Sequence, residues 1–165
     1  SAKQILNDEQ LERFMEEIKK DSVWHDFFYT ELTTGETKTG KGRRTITLPP
    51  STAQLLRERR KGSCSQWIFP NPLYPEDPVN PCRAYSRLKT LLKSAGLPGI
   101  RFHDLRHTFA THALTSGVDA KTLSGILGHT KASFTLDTYA HVTGDMHRRA
   151  AEIVGGFLDD IMVRG

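Results

Sequence analysis

Residues 101–108 read Arg-Phe-His-Asp-Leu-Arg-His-Thr; further on come Leu127-Gly128-His129 and, ten residues past that histidine, Tyr139. His103 and Arg106 stand three apart, and on a helix that spacing places both on one face, where they can grip a single anion. Arginine suits the task because its planar fork bonds two phosphate oxygens at once and keeps its charge. A phenol, with an ordinary pKa of about 10, is a weak nucleophile near neutrality. Tyr139 therefore needs a base, or a strong positive field at its target. Together an arginine, imidazoles and a phenol suit one chemistry, in which the cations hold a phosphodiester while the phenol attacks it. Each residue alone has a plainer explanation: a tyrosine is more often a half-buried core residue with a bonded hydroxyl. Their joint arrival in this order outweighs those separate explanations.

The elements that must position these residues can be read along the chain. Asn7 with Gln10 forms a capping-box pattern that opens a helix, and Leu11, Phe14, Met15 and Ile18 give it one apolar face. A second helix is predicted over Val23–Leu32. Residues 36–48 carry Gly40 and Gly42 as turn residues, then Thr45, Ile46 and Leu48 as strand formers, which predicts a β-hairpin. Pro49-Pro50 ends it, and Ser51 is the expected cap of a short helix through Arg60. Trp67-Ile68-Phe69 is a short strand candidate, followed by five prolines between Pro70 and Pro81 that stiffen a loop. Asn80-Pro81 opens a helix predicted to turn Tyr85, Leu88, Leu91 and Leu92 inward and to stop at Gly96. The helix carrying Arg106 starts near His103 and ends before Gly117. Asp119 caps the next, which closes at Gly128, so His129 follows a helix end. Tyr139 lies on or after a segment beginning at Ser133. The tail is helical from Asp145 to Val154, breaks at Gly155-Gly156, and ends in an apolar stripe of Phe157, Leu158, Ile161 and Met162. The expected fold is mainly α with a small antiparallel β-sheet, an α+β catalytic domain spanning residues 1–165.

A chain of 165 residues is one domain's length and can bury a real core. Its net charge of +4 is unevenly spread. Residues 36–62 hold eight Lys/Arg against two acids and residues 83–107 six against one, whereas residues 1–35 hold four against eight. Two basic segments beside an acidic head suggest a phosphate-facing surface and a face turned away from it. Cys64 and Cys82 stand in unrelated contexts, which implies no disulfide framework and a reducing, cytoplasmic setting. No apolar run reaches membrane-spanning length.

Beyond the residues above, Ala110-Thr-His-Ala-Leu114, Gly117-Val-Asp119, Leu123 to Leu127 and Thr138-Tyr-Ala-His141 complete a pattern. Over Ile5 to Asp145 the chain resembles the catalytic domain of tyrosine recombinases, the phage-integrase family, and within it the integrases of conjugative transposons and phages. The resemblance implies a site-specific recombinase that cleaves and rejoins DNA through a 3′-phosphotyrosyl intermediate, integrating or excising a mobile element. It implies Tyr139 as nucleophile, Arg106 on the nonbridging oxygens, His103 near the tyrosine proton and His129 donating to a phosphate oxygen. Lys38 is the implied general acid for the 5′-oxygen, with Lys41 as runner-up, and Arg43 and Arg44 are read as DNA-backbone contacts. No metal and no nucleotide cofactor is implied. The implied partners are double-stranded DNA, further protomers (four on two duplexes), and accessory DNA-bending or directionality factors. The setting would be the bacterial cytoplasm, at the nucleoid when bound to DNA. Further DNA-binding domains are expected on the N-terminal side of Ser1, and the tail from Gly156 is expected to dock on a neighbouring protomer.

One departure stands out. The resemblance calls for a second catalytic arginine after a Thr-Gly pair, in an Arg-x-Gly-Glu setting, yet Thr34-Gly35 runs directly into Glu36-Thr37-Lys38. We expect a segment carrying that arginine between Gly35 and Glu36 in the native polypeptide. The alternative is a true deletion, leaving a catalytically impaired DNA-binding module of the same fold. A competing reading takes His103 and His107, at i and i+4, as a zinc pair like His-Glu-x-x-His. Against it, Asp104 replaces the glutamate and Arg106 sets a positive charge beside the site.

Overall fold

The computed structural model describes residues 4–34, 47–128 and 132–164. Among them it forms eight α-helices: α1 (Asp8–Ile18), α2 (Ser22–Thr34), α3 (Pro50–Lys61), α4 (Pro81–Ser94), α5 (Phe102–Thr115), α6 (Ala120–Leu127), α7 (Ala132–Thr138) and α8 (Ala140–Arg164). The chain divides into two compact units, Ser1–Phe109 and Ala110–Gly165, with the division falling within α5. No helix among the described residues is long and apolar enough to cross a membrane.

Local chemistry sets the helix ends. Asn7 accepts from the Gln10 amide while the Gln10 side chain accepts from the Asn7 amide, which closes the capping box of α1. Asn80 accepts from Cys82 N at 2.8 Å, and Pro81 supplies the preset first turn of α4. Ser51 does not cap α3. The cap position is Pro49 with Pro50 just inside, and the Ser51 hydroxyl instead bonds the Tyr29 hydroxyl at 3.0 Å. In the first unit α1 packs on α2 and α4, and α2 on α3. Their shared core holds Phe14, Ile18, Trp24, Phe28, Leu88, Leu91 and Leu92, joined by Leu97, Ile100 and Leu105 around the start of α5. Phe14 and Phe102 each pack a ring against Phe28. In the second unit α6 packs on α7 and α7 on α8.

Several sequence expectations require correction. The described residues form an all-α protein with no β-strand, rather than an α+β domain with a small antiparallel sheet. The anticipated hairpin falls almost wholly on residues 35–46, outside the described residues. Trp67-Ile68-Phe69 is not a strand; the pairing there is one isolated antiparallel bridge, Pro70 to Pro78. Proline has no N–H to extend a ladder. Among the described residues, the backbone bonds that join the two sides are Asn71 N to Asp77 O and Val79 N to Phe69 O, both 2.8 Å. The loop is held instead by side chains, with Trp67 Nε1 donating to Glu76 O at 2.8 Å and Arg59 Nε to Ile68 O at 2.9 Å. The tail does not break at Gly155-Gly156, because α8 runs unbroken through both glycines to Arg164. Glycine costs a helix only about 1 kcal/mol relative to alanine, too little by itself to end one.

Tyr85 also faces the other way from its predicted orientation. It is exposed, with Lys89 Nζ 4.6 Å from its ring centre, and Ala84 takes the inward position beside Leu88. Leu88→Ala is therefore expected to lower the unfolding free energy by about 2–5 kcal/mol. Tyr85→Ala, which loses an exposed cation–π contact, should cost under about 1 kcal/mol. Urea titrations of both variants check the ranking; equal losses would contradict the orientation of α4.

Candidate active site

α5 begins with a compact electrostatic lock. Asp104, only 2% exposed, accepts from Arg101 N at 2.9 Å, from Arg101 Nε at 3.1 Å and from Arg101 Nη2 at 3.2 Å. Burial pushes the Asp104 carboxyl up. The Arg101 side-chain and backbone hydrogen bonds, with the charges of Arg101 and His107, outweigh it and hold the group below its ordinary value of 3.8. One turn on, the buried Thr108 hydroxyl donates to Asp104 O at 2.8 Å and accepts from Leu6 N at 3.2 Å. The first turn of α5 is thus fixed from both sides, and that turn carries the candidate residues.

His103 is exposed, whereas Arg106 is buried at 9% and His107 at 7%. The His103 and His107 rings meet edge to face with centroids 4.5 Å apart. Among the described residues no three His, Cys, Asp or Glu side chains converge as a metal ion would require. A guanidinium sunk in the fold beside an exposed imidazole can present positive charge to an anion at the surface with little freedom to reorient. That is the kind of fixed field which stabilises charge developing on a phosphate.

Tyr139 lies in the second unit, at the junction of α7 and α8, and is 2% exposed. Its amide donates to Thr135 O at 3.0 Å, and its carbonyl accepts from Val142 N at 2.9 Å. Thr135 and Val142 are themselves buried, so the backbone that presents the phenol is tightly seated. Upstream, Asp119 caps α6 through Thr122 N at 2.9 Å and Thr122 Oγ1 at 2.6 Å. Gly128 closes it in the left-handed region, φ 67°, which a side chain would resist. His129, the next residue, lies outside the described residues, as do Lys38, Lys41, Arg43 and Arg44. The structure therefore carries His103 and Arg106 three residues apart on α5 of the first unit and places Tyr139 in the second.

Sequence reasoning missed Asp104 and Thr108 as the groups that hold the turn bearing the candidate residues His103 and Arg106. The Arg101/Asp104 spacing of three was a usable signal. The Thr108 tie to Leu6, across 102 residues, had none.

The profile of the phage integrase family matches residues 22–145. A tyrosine recombinase XerC-like protein of Caldanaerobacter subterraneus is 33% identical over 128 residues, covering 70% of this chain and 33% of that protein. The integrase of Escherichia phage P2 is 31% identical over 124 residues, covering 75% and 32%. The chain thus spans about a third of the length of these relatives. Among solved structures, the Tn1549 transposon integrase in complex with circular intermediate DNA aligns with a TM-score of 0.74 at 22% identity, covering 92% of this chain and 65% of that one. XerA recombinase aligns with a TM-score of 0.72 at 19% identity, covering 89% and 63%. At such identities the likeness is one of fold.

The lowered Asp104 carboxyl generates a prediction. A depressed folded pKa stabilises the fold above the unfolded value near 3.8, and that contribution is lost as pH falls through the lower folded value. Asp104→Ala should cost about 1–2 kcal/mol near pH 7, the range for losing a helix-start carboxylate. The gap from the parent should close on acidification below about pH 4, as the parent carboxylate protonates. Denaturation midpoints of both proteins across this range provide the check; a gap independent of pH would contradict the Arg101–Asp104 lock.

Proposed function

Because the chain belongs to the phage integrase family, we propose that it is the catalytic part of a site-specific recombinase that cleaves and rejoins DNA strands, integrating or excising a mobile element. The observation that carries the reading is Arg106, a buried guanidinium three residues from an exposed imidazole on a helix turn locked at Asp104. The names of its relatives support it: they are recombinases and integrases, and the Tn1549 integrase is described in complex with DNA.

In this reading Tyr139 Oη attacks the scissile phosphorus and the bond from phosphorus to the 5′-oxygen breaks, giving a 3′-phosphotyrosyl link and a free 5′-hydroxyl. His103 acts near the phenol proton, and Lys38 delivers a proton to the departing 5′-oxygen. Arg106 and His129 hold the nonbridging oxygens while charge builds on them. The link retains the energy of the broken ester, so the 5′-hydroxyl of another strand can attack it and reseal DNA without a nucleotide cofactor. Arg43 and Arg44 contact the DNA backbone. The setting is the bacterial cytoplasm.

One observation favours a second reading. No arginine stands between Thr34 and Lys38 where the resemblance calls for one. Without it the domain would bind DNA and cleave poorly or not at all. Nicked duplexes of randomised sequence, which let the 5′ fragment escape and trap the covalent intermediate, separate the two readings. The recombinase forms a denaturation-resistant protein–DNA adduct, and the impaired module forms none. Tyr139→Phe should abolish that adduct with little loss of binding, and Arg106→Ala should reduce its rate by about 10²–10³. An adduct surviving in Tyr139→Phe would place the nucleophile elsewhere.

The exposed end of α8 supports a role in assembly. Ile153, Val154, Phe157, Leu158, Ile161, Met162 and Val163 are all more than half exposed along its last turns, an apolar stripe that water disfavours. The proposed occupant is a neighbouring protomer in a four-protomer complex on two duplexes. Deleting residues from Gly156 onward should impair assembly on DNA and change cleavage, while binding of one protomer changes little. Native gel shifts resolve the two, and unaltered assembly by the truncated chain would rule the docking out.

A further inference from the structure

A second imidazole, His107, stands four residues past His103 on α5, and the proposed chemistry gives it no part. Its side chain is buried, with 7% of the residue exposed, whereas His103 is open to solvent. A helical side chain leans back over the turn before its own Cα, so residue i+4 is placed to cover residue i. The two rings meet accordingly, with centroids 4.5 Å apart and planes at 83°. That is the edge-to-face arrangement ring pairs favour.

Within α5, support for His103 comes from the C-terminal side. It is the second residue of the helix, and position i−4 is Gly99, which has no side chain. Positions i+3 and i+4 are Arg106 and His107. An exposed side chain near a helix start samples several rotamers unless a neighbour confines it. His107 is itself confined. The helix around it is fixed by the Arg101–Asp104 bonds on one side, and on the other by Thr108, which bonds Asp104 O and Leu6 N. A buried ring on a fixed turn can therefore hold an exposed ring still.

We propose that His107 is a positioning residue, whose buried ring is the wall that holds the exposed His103 imidazole in the one rotamer from which it serves the reaction. His107 touches no DNA and moves no proton in this scheme. The inference rests on the recombinase reading and on the role that reading gives His103.

The test combines the nicked-duplex trap with NMR of the full chain, whose seven histidines are few enough to assign His103 by the signal lost in His103→Gln. Three-bond Hα–Hβ couplings of His103 report its rotamer, and they should show a single one in the wild type. His107→Gln removes the ring. It should average those couplings and slow adduct formation at saturating duplex about three- to tenfold, the effect one ring pair supplies. The duplex concentration for half-maximal rate should not change. His107→Phe keeps a ring without its nitrogens and should keep wild-type behaviour in both measurements. An unchanged rate in His107→Gln overturns the proposal. So does a slower rate with the His103 couplings still those of a single rotamer, because His107 then acts otherwise than through His103. A loss in His107→Phe equal to that in His107→Gln assigns the role to the imidazole nitrogens and overturns it too. If neither variant gives the dispersed spectrum of a folded chain, His107 serves the fold rather than His103, and the proposal is likewise overturned. A wild type that forms no adduct overturns the recombinase reading along with this one, whereas a wild type that cleaves, matched by His107→Gln, overturns this inference alone.

Discussion

The grip of Arg101 on Asp104 fixes the geometry on which the candidate chemistry depends. A carboxylate taken out of water is costly unless it is paired and bonded. Asp104 is both, through two guanidinium nitrogens and a backbone amide of the same residue. Thr108 then joins the next turn to the Asp104 carbonyl and to the Leu6 amide. The turn between these anchors holds His103 and Arg106. Its neighbour Leu105 is buried in the same core as Phe14 and Phe28, so apolar packing and polar bonds fix the turn together. A guanidinium carried on a turn fixed in this way needs less reorganisation as charge develops on a phosphate, which makes a preorganised site effective.

The basic residues divide by task in the same physical terms. Arg106 is buried, which suits a group meant to meet one phosphate in one geometry. Arg59 is spent on structure: it pairs with Asp26 at 3.2 Å and lies over the Phe69 ring. The exposed cations of α4 have no acid on their own helix to quench them. The excess of positive charge over residues 83–107 therefore lies in two places, the buried Arg106 and the exposed surface of α4, which a count of residues cannot separate.

How much was legible in the sequence follows from the range of each interaction. Caps act within three residues, so Asn7, Asn80 and Asp119 announced their helices correctly, and Gly128 announced the end of α6. The helix bearing His103 and Arg106, and the place of Tyr139 after a short helix, were equally local. Tyr85 misled because it stands at the edge of an apolar face, where contacts with other helices decide between it and Ala84. Trp67-Ile68-Phe69 misled because strand propensity is local, whereas a ladder needs a partner with amides to give, and the bridging residues are prolines. The diglycine misled because a propensity penalty is not a stop signal. The Leu6–Thr108 bond arises only once distant segments meet.

The most direct test of the central claim, that Tyr139 is the nucleophile serving the phosphate held by Arg106, is mass-spectrometric mapping of the trapped adduct. Wild-type protein is reacted with nicked duplex, then digested with nuclease and protease, and the modified peptide is sequenced. The account predicts a nucleotide remnant joined through its 3′-phosphate to the Tyr139 hydroxyl. A remnant on any other residue, or joined through a 5′-phosphate, would contradict it.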